Sequence, residues 1–271
     1  ISSTRIAKLC RENRIAGARK EKGIWLIPEN TQRPSDGRVK SGAYVKARKK
    51  TLLPLPIGIS DYRKASSEYY YIDKTLMIRD FLDEVPMVSL FTRPRRFGKT
   101  LNMDMLRTFF EKTEEDTSIY FKDKKIWAYG EKYQECQGKY PVIFLSFKDV
   151  KFNTWEETFE AFNELFSKET ARHTELSKND KLSAADVKRV ENLLSGNSSA
   201  VDLSNALADL SRMLHEYHGI APIIIIDEYD TPIQQGHVKG FYDEVIGFMR
   251  NLFSGGLKDN KHLTYGFLTG I

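Results

Sequence analysis

Cysteine is nearly absent: Cys10 and Cys136 are the only two in 271 residues. They lie far apart, without the spacing of a metal site or a disulfide framework, which fits a protein of a reducing cytoplasm. No uncharged apolar run approaches the roughly 20 residues that a membrane span requires. No signal segment opens the chain, and position 1 is isoleucine within what reads as the middle of a helix, the mark of a fragment. What is present is ordinary for a globular protein, 41% hydrophobic and 29% charged residues. The length suits one large domain with a small one beside it.

Charge is unevenly spread. Residues 1–50 carry 14 Lys/Arg against 4 Asp/Glu, a net of +10; the remainder carries 28 against 33, a net of −5. A basic head on a mildly acidic body suggests two parts with different partners, and nucleic acid is the natural partner for the head. The stretch 3–13 predicts a short helix capped by Ser2 or Ser3, with Ile6, Leu9 and Cys10 on one face. Residues 14–20, a turn at Glu21-Lys22-Gly23 and then Ile24-Trp25-Leu26-Ile27-Pro28 predict a hairpin. This basic helix and basic hairpin, residues 1–30, resemble the recognition helix and wing of excisionase-type and MerR-type winged helix-turn-helix domains; the preceding helix of that fold is missing. The resemblance implies double-stranded DNA as a partner, with Arg5, Lys8 and Arg11 toward the major groove and Arg19, Lys20 and Lys22 along the wing. Residues 31–53, with Pro34, Gly37, Gly42 and the run Lys46–Lys50, read as an extended basic linker.

From residue 54 the pattern alternates apolar strands with amphipathic helices. Asp73 is placed to cap a helix reaching about Asp83. The apolar run 140–147 predicts a strand buried on both faces. Thr154, Ser183 and Ser199 each open a helix, the last carrying Leu203, Leu207, Leu210, Leu214 and Tyr217 as a stripe. A helix from about Gly240 to Phe253 precedes a last strand at 263–270.

Two stretches carry chemistry. The apolar run Met87–Phe91 leads into Thr92-Arg93-Pro94-Arg95-Arg96-Phe97-Gly98-Lys99-Thr100, and a helix from about Leu101 follows. Strand, tight loop, Gly-Lys-Thr and helix form the layout of a phosphate-binding loop, in which helix-start N–H groups meet the anion. Lys99 would reach the outer phosphates, and the Thr100 hydroxyl would ligate Mg2+. The glycine that the full pattern carries five residues before Gly98 is Arg93 here. The second stretch is Pro222-Ile223-Ile224-Ile225-Ile226-Asp227-Glu228, a central strand ending in two acids, where open α/β sheets bind ligands. One acid there can hold Mg2+ and the next can activate water.

With both motifs in view, residues 54–271 resemble the AAA-ATPase-like domain common in bacteria and archaea, which is usually followed by a PD-(D/E)XK nuclease-like domain. The phrases that carry the resemblance are Pro54-Leu55-Pro56-Ile57-Gly58, Tyr71-Ile72-Asp73-Lys74-Thr75, the Thr92–Thr100 loop, Ile226-Asp227-Glu228-Tyr229-Asp230-Thr231-Pro232-Ile233 and Phe267-Leu268-Thr269-Gly270. It implies an α/β P-loop NTPase with a mostly parallel sheet, flanking helices and a strand between the loop strand and the acidic strand, supplied by 140–147. It further implies ATP and Mg2+ as cofactors, residues 93–101 around the nucleotide, Thr100 and Asp227 on the metal, Glu228 as the catalytic residue that polarises water and Thr269 as a γ-phosphate sensor. A fifth strand, a lid and any nuclease acids are expected beyond Ile271, so residues 1–271 are expected to bind Mg·ATP at best modestly and to turn it over slowly or not at all. Homo-oligomerisation is left open by the sequence. Two other readings stay in play: a DNA-binding regulator with a nucleotide switch, and a small-molecule phosphotransferase. His215 and His218, with Glu216 between them, lack a third metal ligand and read as surface histidines.

Overall fold

The structure, a computed structural model, describes residues 3–31, 53–94, 96–178 and 182–271. Ser2, Arg95 and nearly all of the linker, Lys46–Lys50 included, lie outside the described residues. The chain divides into two compact units, Ile1–Leu52 and Leu53–Ile271.

In the first unit, α1 (Ser3–Arg11) buries Cys10. The hairpin that follows is shorter than the sequence pattern suggests: β1 (Arg19–Glu21) pairs antiparallel with β2 (Ile24–Leu26). Residues 14–18 are diverted from the strand because Asn13 (φ 51°) and Gly17 (φ 75°) both turn the backbone left-handed. A Cβ on Gly17 would come within 2.9 Å of the Pro28 ring. The hairpin turn itself has Lys22 at φ 47° and Gly23 at φ 85°. Positive φ at both centres is what a two-residue turn needs to match the strand twist.

The second unit runs α2 (Tyr62–Glu68), α3 (Leu76–Glu84), β3 (Val88–Thr92), α4 (Lys99–Phe110), short helices α5 (Lys125–Ala128) and α6 (Glu131–Gln134), and β4 (Val142–Ser146). It continues with α7 (Trp155–Arg172), α8 (Thr174–Ser177), α9 (Ala184–Ser195), α10 (Ala200–His218), β5 (Ile223–Asp227), α11 (Thr231–Lys239), α12 (Tyr242–Leu257) and β6 (Tyr265–Gly270). The three expected caps form: Thr154, Ser183 and Ser199 accept from the backbone N–H groups of Glu157, Asp186 and Asp202. Asp73 behaves otherwise. Its Oδ1 takes the Thr75 N–H and hydroxyl in a local turn, and its Oδ2 takes the Lys125 N–H, so it caps α5 across space rather than α3. Helix α11, opened by Pro232 in its first turn, was not legible as a separate element.

The four strands of this unit form a parallel sheet in the order β3-β6-β5-β4. The 140–147 run does fall between the loop strand and the acidic strand in the chain, but in the sheet it is the outer strand; β6 occupies the place between them. Residues 266–270 are buried throughout; β3, with Val88 and Leu90 39% and 54% exposed, stands at one edge, and β4 stands at the other although Val142, Ile143 and Leu145 are fully buried.

Alternation along β5 explains the four consecutive isoleucines. Ile224 and Ile226 enter one core with Ile143, Leu145 and the faces of α7, α9, α10 and α12. Ile223 and Ile225 enter the opposite core with Val142, Phe267 and the aromatic face of α4. All four are fully buried, which stabilises the fold by about 1.5 to 3 kcal/mol per side chain. The stripe on α10 buries Leu203, Leu207, Leu210 and Leu214 but stops before Tyr217, which is 47% exposed at the helix end. His215 and His218 are half-buried rather than on open surface; His215 meets His262, and His218 meets Glu175.

A buried ionic cluster joins α7 to its surroundings. Glu169 accepts the Phe144 N–H of β4 at 2.8 Å and two bonds from Arg172 at 2.9 and 2.8 Å; Arg172 also pairs with Glu111. His173, 6% exposed, sets one ring nitrogen 3.3 Å from Glu169 and the other 3.3 Å from Glu175. Burial pushes its pKa down, but the hydrogen bonds and charges of the two glutamates outweigh this and raise it to about 9. Burial likewise opposes ionisation of Glu175, yet hydrogen bonds from His173 and the local backbone bring it down to about 2.

A histidine whose folded pKa is raised stabilises fully below its unfolded pKa and loses that contribution as pH climbs through the folded value. Stability should therefore fall between about pH 6.5 and pH 9, by roughly 2 to 3 kcal/mol. Glu175 works in the opposite sense, losing its contribution only as pH falls from about 4.5 toward 2. His173→Gln should be less stable than the parent at pH 6 and flatter from pH 6.5 to 9. Urea melts at both ends of that window test this; an unchanged slope in the variant would remove His173 as the cause.

Candidate functional site

The site is built where β3 and β5 end at the same edge of the sheet. Pairing of β5 with β6 and of β6 with β3 brings Asp227, Thr269 and the start of α4 together, although Thr100 and Asp227 are 127 residues apart. Asp227 is fully buried. Its Oδ2 accepts from the Thr100 hydroxyl at 2.8 Å and its Oδ1 from the Thr269 hydroxyl at 2.5 Å. Both of its oxygens are thus engaged by hydroxyls of other elements. Among the described residues no cationic side chain pairs with it.

After Asp227 the chain turns at Glu228, which holds φ 53°, an uncommon conformation for a side-chain-bearing residue. Such a position costs of order 1 to 3 kcal/mol and persists when its surroundings fix it. Here Thr269 does so. Its Oγ1 accepts the Glu228 N–H at 3.0 Å and its carbonyl accepts the Tyr229 N–H at 2.9 Å. The Glu228 carboxylate is half-buried and takes the Thr231 hydroxyl at 3.2 Å. Gly270 has to be glycine, because a Cβ would lie 2.6 Å from the Tyr229 ring and 2.9 Å from the Asp230 carboxylate.

On the loop side, Arg93 donates its N–H to Gly270 O at 3.4 Å and so extends the sheet by one step. The left-handed residues of the described loop are Arg96 at φ 69° and Gly98 at φ 77°, not Arg93. Glycine is therefore not required at 93, and the departure from the full pattern has no conformational cost. Gly98 is the N-cap of α4 without any side-chain cap, leaving the first N–H groups of that helix open to an external acceptor. Lys99 is 9% exposed, and its Nζ is held by Arg93 O at 2.5 Å and Pro94 O at 3.5 Å. Those carbonyls take two of its three hydrogens without neutralising its charge. Arg93, Pro94, Arg96 and Phe97 are exposed around it, while the Leu101 side chain packs into the aromatic core, leaving only its backbone to face the site. Arg95 lies outside the described residues.

A cavity of about 270 Å3 opens beside the loop. Its walls include Lys74, Arg93, Lys99, Asn102 and, from the acidic side, Thr269, over a floor of Phe91 and Met103. Lys74 and Asn102 were not singled out from the sequence; Lys74 sat in view, within the phrase 71–75, with nothing local to mark its charge as site-directed. The donor set suits Mg2+: a hydroxyl and a carboxylate oxygen, hard ligands 2.8 Å apart. Among the described residues no three acids, histidines or cysteines gather to hold a metal unaided.

The expected DNA contacts of the first unit are spread over its surface. Lys8, Arg11, Arg19, Lys20 and Lys22 are exposed, with Lys8 3.9 Å from Glu12 and Arg19 3.3 Å from Glu21; the Arg5 side chain lies outside the described residues. No described helix is long and apolar enough to cross a membrane.

Among curated proteins the chain is similar to one described as "Uncharacterized protein in vnfD 5'region" from Azotobacter chroococcum mcd 1, at 25% identity over 221 residues. That alignment covers 80% of this chain and 37% of the relative, so the chain spans well under half of the relative's length. No solved structure matches. The profile of a family described as "Predicted AAA-ATPase" matches residues 56–271, a span that takes in the Gly-Lys-Thr loop, the acidic strand end and every strand of the parallel sheet, and the chain belongs to that AAA-ATPase-like family.

Proposed function

We propose that residues 54–271 form a P-loop module that binds Mg·ATP and hydrolyses it. The observation that carries this reading is the 2.8 Å bond between Thr100 and Asp227, two groups from separate motifs that meet on one buried carboxylate. In this reading the open N–H groups of the α4 start and the Lys99 ammonium receive the β- and γ-phosphates, Lys99 exchanging neutral carbonyls for charged oxygens. Thr100 and Asp227 hold Mg2+, which when bound neutralises charge on the phosphate oxygens. Glu228 orients and polarises the attacking water. Its carboxylate is half-buried and already holds the Thr231 hydroxyl. The Thr269 hydroxyl gives its one hydrogen to Asp227 and accepts from Glu228 N, so it ties the metal ligand to the water-activating residue. In that position it can relay the state of the γ-phosphate through the two acids.

A glutamate beside the metal acid favours water over a small-molecule acceptor, which ranks hydrolysis above phosphotransfer. For the longer protein we propose coupling to double-stranded DNA through the basic head, supported by the exposed cations of α1 and the hairpin.

Lys99→Ala should abolish tight Mg·ATP binding in a calorimetric titration while the chain stays folded; unchanged affinity would remove the phosphate-loop reading. Glu228→Gln should bind Mg·ATP normally and hydrolyse it about 10² to 10⁴ times more slowly, the usual cost of losing a positioned base. If its binding fell in step with its rate, Glu228 would be a ligand rather than a base. Deleting residues 1–50 should remove most salt-sensitive duplex DNA binding. Equal affinity with and without them, at matched salt, would place the contact elsewhere.

A further inference from the structure

Lys74 is the cation of the cavity for which the proposed chemistry has no use. It comes from the segment before α3, remote in sequence from the loop, and its Nζ lies 3.7 Å from where a Gly98 Cβ would be. Among the described residues it has no acceptor. Its two neighbours, by contrast, are anchored. Asp73 accepts three hydrogen bonds, from the Thr75 N–H and hydroxyl and from the Lys125 N–H. Thr75, fully buried, accepts the Ile126 N–H at 3.2 Å. Burial disfavours the charged form of Asp73, but those hydrogen bonds, with that of Lys125 foremost, hold it below the usual carboxylate range. The tripeptide thus clamps its ends to α5 and leaves a flexible ammonium over the loop.

Among the described residues no acid lines the cavity, whereas Lys74, Lys99 and Arg93 all do. Gathering like charges around one space is unfavourable until a polyanion enters, and it then favours several negative charges over one. We infer that Lys74 is a second phosphate-contacting cation of this site, reaching the polyphosphate of the bound nucleotide from beside the N-cap of α4. The inference rests on the nucleotide-binding reading above and adds a residue to it.

The test is a titration of residues 1–271 with Mg·ATP and with inorganic tripolyphosphate, for the parent, Lys74→Ala, Lys74→Gln, Lys74→Arg and Lys99→Ala. Both neutral variants at 74 should weaken both ligands by a similar factor of about ten, the low end for a charged hydrogen bond because the side chain is exposed. Lys74→Arg should return to within about threefold of the parent. The thermal midpoint without ligand should not move, as Lys74 makes no contact the fold depends on. Mg·ATP weakening with tripolyphosphate unaffected would overturn the inference, since the loss would not concern phosphate. So would unchanged Mg·ATP affinity in Lys74→Ala and Lys74→Gln while Lys99→Ala abolishes it. Unchanged affinity in Lys99→Ala would instead remove the underlying nucleotide-binding reading.

Discussion

A carboxylate with no solvent access at the end of a central strand is the constraint around which this structure is arranged. Desolvating such a group costs several kcal/mol even after relaxation. The two hydroxyl bonds to Asp227 offset part of that, at about 1.5 to 3 kcal/mol for each bond to a charged partner. Among the described residues the carboxylate has no countercharge; in the proposed function a divalent cation held by Thr100 and Asp227 would supply one. The same argument applies in mirror image across the site, where Lys99 sits almost buried on two neutral carbonyls. Two opposite charges, each hydrogen-bonded and neither paired, are what Mg2+ and polyphosphate would join.

The sheet makes this arrangement inexpensive. With Ile223 and Ile225 packed to one core and Ile224 and Ile226 to the other, β5 cannot slip by a residue without exchanging its two faces. Asp227 is therefore held in register by apolar burial rather than by its own bonds. Thr269 is held in the same way, one step beyond Phe267 and Leu268, which fill opposite cores. The strained turn at Glu228 draws on that rigidity: a left-handed glutamate would relax if the strand ends beneath it could move.

Most of what positions the site could be read from the chain. Four isoleucines before two acids, an apolar run before Gly-Lys-Thr, and three serine or threonine caps are local patterns, and local patterns survive into the fold. What escaped depends on partners far away in sequence. The place of β6 between β3 and β5 rests on pairings between strands far apart in the chain, not on any one strand's composition. Asp73 reads as a cap for the helix just after it, yet its second oxygen goes to an N–H 52 residues on. Lys74 carries no local mark at all, because its significance lies in what it faces. Tyr217 continues a helical stripe that simply outruns the core beneath it.

Arg93 shows how a motif can depart in letter and keep its physics. Glycine is demanded only where φ is positive or where the backbone is approached closely, and in this loop the positive φ values fall on Arg96 and Gly98. Arg93 instead continues the sheet with an N–H to Gly270 and lends its carbonyl to Lys99. A side chain at 93 is thus free to face outward as a cation beside the cavity. The loop becomes more positive than a glycine-rich one while its backbone stays available to an anion. Left-handed Arg96 carries the corresponding cost, of order 1 to 3 kcal/mol, at a position where glycine would carry none. That strain marks residue 96, rather than 93, as the place where this loop departs from what its backbone alone would select.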